Sequence, residues 1–162
     1  MDSFFTTITW LGSLYLLLPL SVPLCFVLFW SGKFGQAMLI SFSLLITIIS
    51  VHLAKLMFRR PRPATTELLV AMPSDWSFPS AHSAQATAFF LSVTIVAFQV
   101  LPPIWASLFA LLSLLFVGIV GYSRIYLQVH YVSDVFAGMV LATLIVLMVR
   151  FIIPLLPWFR GK

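Results

Sequence analysis

Charged side chains are scarce in this sequence: they make up 8% of it, while 62% of its 162 residues are hydrophobic. A chain so poor in charge cannot cover itself with a hydrated surface, which excludes an ordinary water-soluble domain and points to the bilayer as its solvent. Cysteine is nearly missing as well. Cys25 stands alone, which excludes an intrachain disulfide or a cysteine-held zinc cluster and leaves a packed or lipid-facing residue. The acids are only Asp2, Glu67, Asp75 and Asp134. A two-metal centre takes several carboxylates or a histidine cluster, so no metal and no other cofactor is expected. The N-terminus lacks a basic segment and a small-residue cleavage site, so the first apolar run is expected to stay as a span. Repeats, low-complexity tracts and linkers are missing too, and residues 1–162 read as a single domain.

What the sequence does have is a series of apolar runs of about 20 residues, each able to cross roughly 30 Å of hydrocarbon as a helix. Five are read, over residues 8–30, 36–58, 80–100, 103–122 and 131–153. The fold class is therefore all-α, a polytopic bundle of transmembrane helices. Pro19 and Pro23 are expected to kink the first span, and Pro102-Pro103 to mark a tight connection between the third and fourth.

The formal charge of +5 does not indicate nucleic acid, because no soluble module displays a basic patch. Lys33, Arg150, Arg160 and Lys162 lie at the ends of apolar runs, where the positive-inside rule places them in the cytoplasm. The 59–78 and 123–130 loops then meet on the opposite face, away from the cytoplasm. They gather costly polar residues at one membrane surface.

Three segments carry the chemistry. Lys55 is followed by six residues and then Arg62-Pro63; Pro79-Ser80-Ala81-His82 comes next; Ser123-Arg124 is followed by His130 and, four residues later, Asp134. A phosphoryl group in transfer spreads negative charge over its oxygens and needs several fixed cations, which Lys55, Arg62 and Arg124 supply. Ser80 to His82 sits at the expected start of the third span, where backbone N–H groups and the helix dipole favour an anion. His130 and Asp134 would share a face if helical, letting the carboxylate fix the imidazole tautomer. Outside the motifs, His52 is assigned to helix packing or a local hydrogen bond. Arg59 and Arg60 are assigned to lipid headgroups or the membrane interface, and Trp76 and Phe78 to headgroup anchoring.

In this order the three segments resemble the signature of the type 2 phosphatidic acid phosphatase (PAP2) superfamily, which includes bacterial lipid phosphatases, glucose-6-phosphatase and the soluble vanadium haloperoxidases. The resemblance implies that His130 is a nucleophile forming a phosphohistidine, that His82 is the general acid and that Asp134 orients His130. It implies that Lys55, Arg62, Ser80, the backbone of Ala81, and Arg124 hold phosphate. It also implies a bacterial inner-membrane enzyme whose partners are the bilayer and a lipid phosphate: lipid A 1-phosphate, phosphatidylglycerophosphate, phosphatidic acid or an isoprenoid pyrophosphate. Ala81 departs from the glycine usual there, and many members carry one more span before the first. A transporter would bury its charges nearer the midplane. A scaffold would not need three spaced motifs, and a haloperoxidase lacks so hydrophobic a chain.

Overall fold

The computed structural model describes residues 2–64 and 70–155. Glu67, Arg160 and Lys162 lie outside the described residues. The helices are α1 (Asp2–Ile8), α2 (Leu14–Trp30), α3 (Phe34–Phe58), α4 (Ala81–Val100), α5 (Pro103–Tyr126) and α6 (Val132–Ile152), with a short 3-10 turn at Thr9–Gly12. No strand occurs among the described residues. Four helices are long and apolar enough to cross a membrane, and the bent pair Ser3–Gly12 and Leu14–Trp30 counts as a fifth when taken as one span.

That first span breaks where the prolines are not. Pro19 and Pro23 both lie inside α2, and the two halves meet at 42° on either side of Ser13. Ser13 has extended φ and ψ of −83° and 139°, and its hydroxyl accepts the Tyr15 N–H at 3.2 Å. A serine that caps the following helix ends the preceding one. Each proline removes one donor, a loss that a helix in lipid tolerates. Gly12 beside it is required by close approach: a Cβ there would come within 2.8 Å of the His82 carbonyl oxygen and 2.7 Å of Val120.

The fourth helix is the hub, packed against α3, α5 and α6. Ser83, Ala84, Ala86, Thr87, Ala88 and Ser92 are all buried on it. Between helices in lipid, association comes from close packing, which small residues permit. The same logic applies on α6, where a Cβ on Gly138 would lie 2.6 Å from the Ser80 carbonyl oxygen. Two apolar clusters result. One joins Leu28, Ile40, Val96 and Val149, and the other joins Val51, Ala84, Ala88, Ala142 and Val146. Large apolar side chains such as Trp105, Leu111, Leu114 and Phe151 point outward, as a lipid-facing surface requires.

Up-and-down connections bring the C-terminal ends of α3 and α5, the N-terminal ends of α2, α4 and α6, and the Thr9–Gly12 turn to one end of the bundle. Lys33 and Arg150 lie towards the other. Cys25 is packed, with its Sγ 3.3 Å from the Ser41 hydroxyl. His52 is not packed: it is exposed on the outer face of α3, because the buried line of that helix runs through Val51 and Lys55.

Candidate active site

Lys55 lies in the last turn of α3, 5% exposed. Its Nζ is 2.9 Å from Asp75 Oδ2 and also donates to the Trp76 carbonyl. Arg59 ends the helix in the left-handed conformation, φ 44°, and sends the chain back over this end. Arg62 is then engaged through all three of its nitrogens. Its Nε donates to the Asp75 carbonyl at 2.9 Å, Nη2 pairs with Asp75 Oδ1, and Nη1 donates to the Val129 carbonyl at 2.7 Å. The same Nη1 stands 3.2 Å from His130 Nε2.

Arg62 has no lone pair to offer, so His130 Nε2 is the acceptor and its proton sits on Nδ1. On that side Asp134 Oδ2 lies 3.5 Å away, at the outer edge of hydrogen bonding. Burial pushes the His130 imidazole down to about 4, opposed by its bond to Asp134 and reinforced by the charges of Arg124, Arg62 and Lys55. It is therefore neutral near pH 7, with the one lone pair of Nε2 occupied by the Arg62 N–H.

Asp134 is wholly buried and closely held. Its Oδ1 accepts from Arg60 at 2.8 Å; its Oδ2 accepts from the Ser77 hydroxyl and, at 3.0 Å, from the Tyr131 N–H. His130 and Asp134 do not share a helical face, however, since His130 precedes α6 and Tyr131 is the residue that caps it. The capping box turns the Asp134 carboxylate back towards the helix start, which brings it to the imidazole by a different route.

Ser80 is fully buried at the cap of α4, its hydroxyl 3.0 Å from that of Ser83. Its own N–H is taken by the Asp134 carbonyl at 3.0 Å. The donors that head α4 are therefore those of Ala81 and the next two residues, which have no intrahelical acceptor. His82 is in the first turn of α4, within electrostatic reach of Arg124, His130, Asp75 and Arg62. Ser123 and Arg124 are in the last turn of α5 rather than in a loop, because α5 runs on to Tyr126. Arg124 is 5% exposed; its Nη1 donates to Thr9 Oγ1 at 2.8 Å, while its Nε is buried with no hydrogen-bond partner among the described residues. A buried guanidinium N–H without an acceptor is costly unless an anion serves it.

All the residues singled out by sequence, Lys55, Arg62, Ser80, Ala81, His82, Arg124, His130 and Asp134, thus lie at one end of the bundle. Asp75, Ser77, Arg60 and Thr9 join them without having been foreseen as site residues. Arg60 is no mere interface marker: it also donates to Ser133 Oγ at 2.7 Å and stacks over the Tyr131 ring at 4.1 Å. Burial pushes the Asp75 carboxyl up, but the hydrogen bonds and charges of Lys55 and Arg62 outweigh it and hold the group below its ordinary value. Phe78 packs edge-on against Phe58 at 5.0 Å, and Trp76 is exposed.

Residues 36–157 match the model of the PAP2 superfamily. An undecaprenyl-diphosphatase of Sulfolobus acidocaldarius is 31% identical over 115 residues, covering 68% of this chain and 51% of that protein. The phosphatidylglycerophosphatase B of Bacillus subtilis is 28% identical over 152 residues, 93% of this chain and 74% of the relative. The chain thus spans about half the length of the first relative and about three-quarters of the second. Among solved structures, a transmembrane PAP2-type phosphatidylglycerolphosphate phosphatase from Bacillus subtilis superposes with a TM-score of 0.85 at 28% identity, covering 98% of this chain and 79% of that one. LpxE of Aquifex aeolicus gives 0.70 at 28% identity, with 91% and 84% covered.

Proposed function

Because the chain belongs to the PAP2 superfamily, we propose that this integral membrane protein hydrolyses a terminal phosphate of a membrane lipid through a phosphohistidine, residues 1–162 acting as one domain. The observation that carries this reading is the two-sided setting of His130, with Nε2 3.2 Å from Arg62 and Nδ1 3.5 Å from Asp134.

Once a phosphoryl oxygen draws Arg62 Nη1 away from His130 Nε2, the freed lone pair of Nε2 attacks phosphorus, the bond from phosphorus to the lipid oxygen breaks, and His82 gives that oxygen a proton. A water then attacks the phosphohistidine and passes a proton to His82, releasing inorganic phosphate and restoring both histidines. Asp134 keeps the His130 proton on Nδ1 and stabilises the cation formed when Nε2 is phosphorylated. Lys55, Arg62 and Arg124 neutralise the phosphoryl oxygens, with Ser80 and the N–H of Ala81 at the head of α4 adding donors.

The substrate is a lipid phosphomonoester or pyrophosphate: phosphatidylglycerophosphate, phosphatidic acid, an isoprenoid pyrophosphate or lipid A 1-phosphate. The two curated relatives are named for substrates of this kind. The membrane is proposed to be a bacterial inner membrane, and Lys33 and Arg150, away from the site, support an orientation with the site facing outward. Phosphate release from that lipid panel by purified protein in detergent, with His130→Ala as control, tests the proposal. Release by the wild type alone supports it, and no release from any of the four lipids defeats it.

A further inference from the structure

The anion that already sits on the cations is the protein's own. Asp75 bridges Lys55 and Arg62, one oxygen to each, and these are two of the three cations assigned above to the substrate phosphate. The Lys55 and Arg62 side chains are 7% and 8% exposed, whereas that of Asp75 is 53% exposed. The carboxylate therefore lies on the outer side of the pair, where an entering phosphate meets it first. Two anions cannot share these donors cheaply, since like charges a few ångströms apart repel strongly at low dielectric.

We propose that Asp75 is an internal counter-ion of the phosphate site, which the substrate phosphate displaces from Lys55 and Arg62 and which returns as inorganic phosphate leaves. The inference rests on the phosphatase reading. The local bonds allow the exchange without moving the loop: Arg62 Nε holds the Asp75 carbonyl at 2.9 Å, and Lys55 also holds the Trp76 carbonyl. The backbone stays latched while the carboxylate rotates about its own χ angles into water. Arg124 takes no part in the exchange, being tied to Thr9 through Nη1, and its buried Nε, without a partner among the described residues, is left to serve the phosphate.

The exchange has a chemical purpose. Three cations around a dianion would hold the product tightly, and product release limits many enzymes. A carboxylate that re-pairs Lys55 and Arg62 keeps neither cation bare as phosphate departs.

The test measures competitive inhibition constants of orthophosphate and orthovanadate against a long-chain lipid phosphomonoester, using the full chain in detergent. Asp75→Asn is expected to lower both constants about tenfold, since the competing charge is gone, and to lower kcat through slower release. Asp75→Glu, which restores the carboxylate, is expected to return both towards wild type. Constants that are unchanged or raised in Asp75→Asn, with the wild type active, overturn the proposal and leave Asp75 as a brace for the cations. If the wild type neither releases phosphate nor binds either anion, the phosphatase reading fails and this proposal with it. Should Asp75→Asn not fold, Asp75→Ser carries the same expectation.

Discussion

Arg60 and Asp134, 74 residues apart in sequence, meet at 2.8 Å, so the carboxylate behind His130 is shared between an imidazole and a guanidinium. The charge of Arg60 draws electron density from Asp134 and restrains how strongly it can raise the basicity of His130. Arg60→Ala should therefore move the acid limb of the kcat/KM profile to higher pH and cut kcat/KM by about one to two orders of magnitude. Arg60→Lys should recover part of both. A loss of activity with an unmoved acid limb would reduce Arg60 to a structural brace.

The two histidines should fail differently. His130→Ala is expected to remove at least about 10³-fold of the rate, as loss of a nucleophile does. His82→Ala is expected to cost about 10²- to 10⁴-fold on an alkyl ester, but much less on an aryl phosphate whose leaving oxygen needs no proton. Acid-quenched protein should carry acid-labile phosphate on His130 only, vanadate should inhibit, and chelators should not. Phosphate trapped on His82, or activity lost in EDTA and restored by a divalent ion, would overturn the scheme.

How much of this was legible follows from what spacing can carry. Lys55 to Arg62 and His130 to Asp134 are short intervals of fixed chemistry, and the apolar runs around them put each at a helix end. Ser77 and Asp75 had no such signal, because their value lies in reaching Asp134, Lys55 and Arg62 across a folded loop. Thr9 meets Arg124 across 115 residues, a pairing that only tertiary structure sets. The break in the first span fell at Ser13 rather than at the prolines because a capping hydroxyl ends a helix more firmly than one missing donor in lipid. The family pattern likewise did not distinguish an Arg124 in a loop from one in the last turn of α5.

His130 titrates at about 4 in the folded protein against 6.5 ordinarily. Between those values the unfolded chain binds the proton and the folded one does not, so this stabilisation is complete above about pH 6.5 and is lost as pH falls towards 4. Thermal midpoints in detergent should decline across that window, and His130→Asn should flatten the decline. Activity should persist through pH 5 to 6, where an ordinary histidine nucleophile would already be protonated. An acid limb near 6.5 would contradict the buried, cation-flanked setting of the imidazole.

Orientation is open to a direct measurement. Ser74 is exposed near the site, so a single cysteine placed there in a Cys25→Ser background should react with an impermeant maleimide added outside intact spheroplasts. A cysteine replacing Lys33 should be protected until the membrane is opened. The reverse pattern would place the site in the cytoplasm and set the positive-inside reading aside.

Substrate class follows from where the site sits relative to the bilayer. His82, Arg124 and Asp134 all lie within the terminal turns of helices long and apolar enough to cross a membrane, so the proposed phosphate site would sit at headgroup depth rather than out in water. Trp76, 40% exposed beside Asp75, is suited to the same layer. A lipid can present its phosphate there sideways while its acyl chains stay in hydrocarbon. Extracting those chains would cost about 0.8 kcal/mol per methylene, so lateral entry keeps many kcal/mol that a water-facing pocket would have to supply. Long-chain lipid phosphates should accordingly be hydrolysed with kcat/KM at least about 10²-fold above soluble headgroup analogues such as glycerol phosphate, most of the difference lying in KM because tail contacts persist unchanged through the transition state. The measurement is kcat/KM for such a pair in mixed micelles at fixed surface concentration. Equal values would mean that the tail contributes nothing to capture, and the lateral-entry reading would have to be given up.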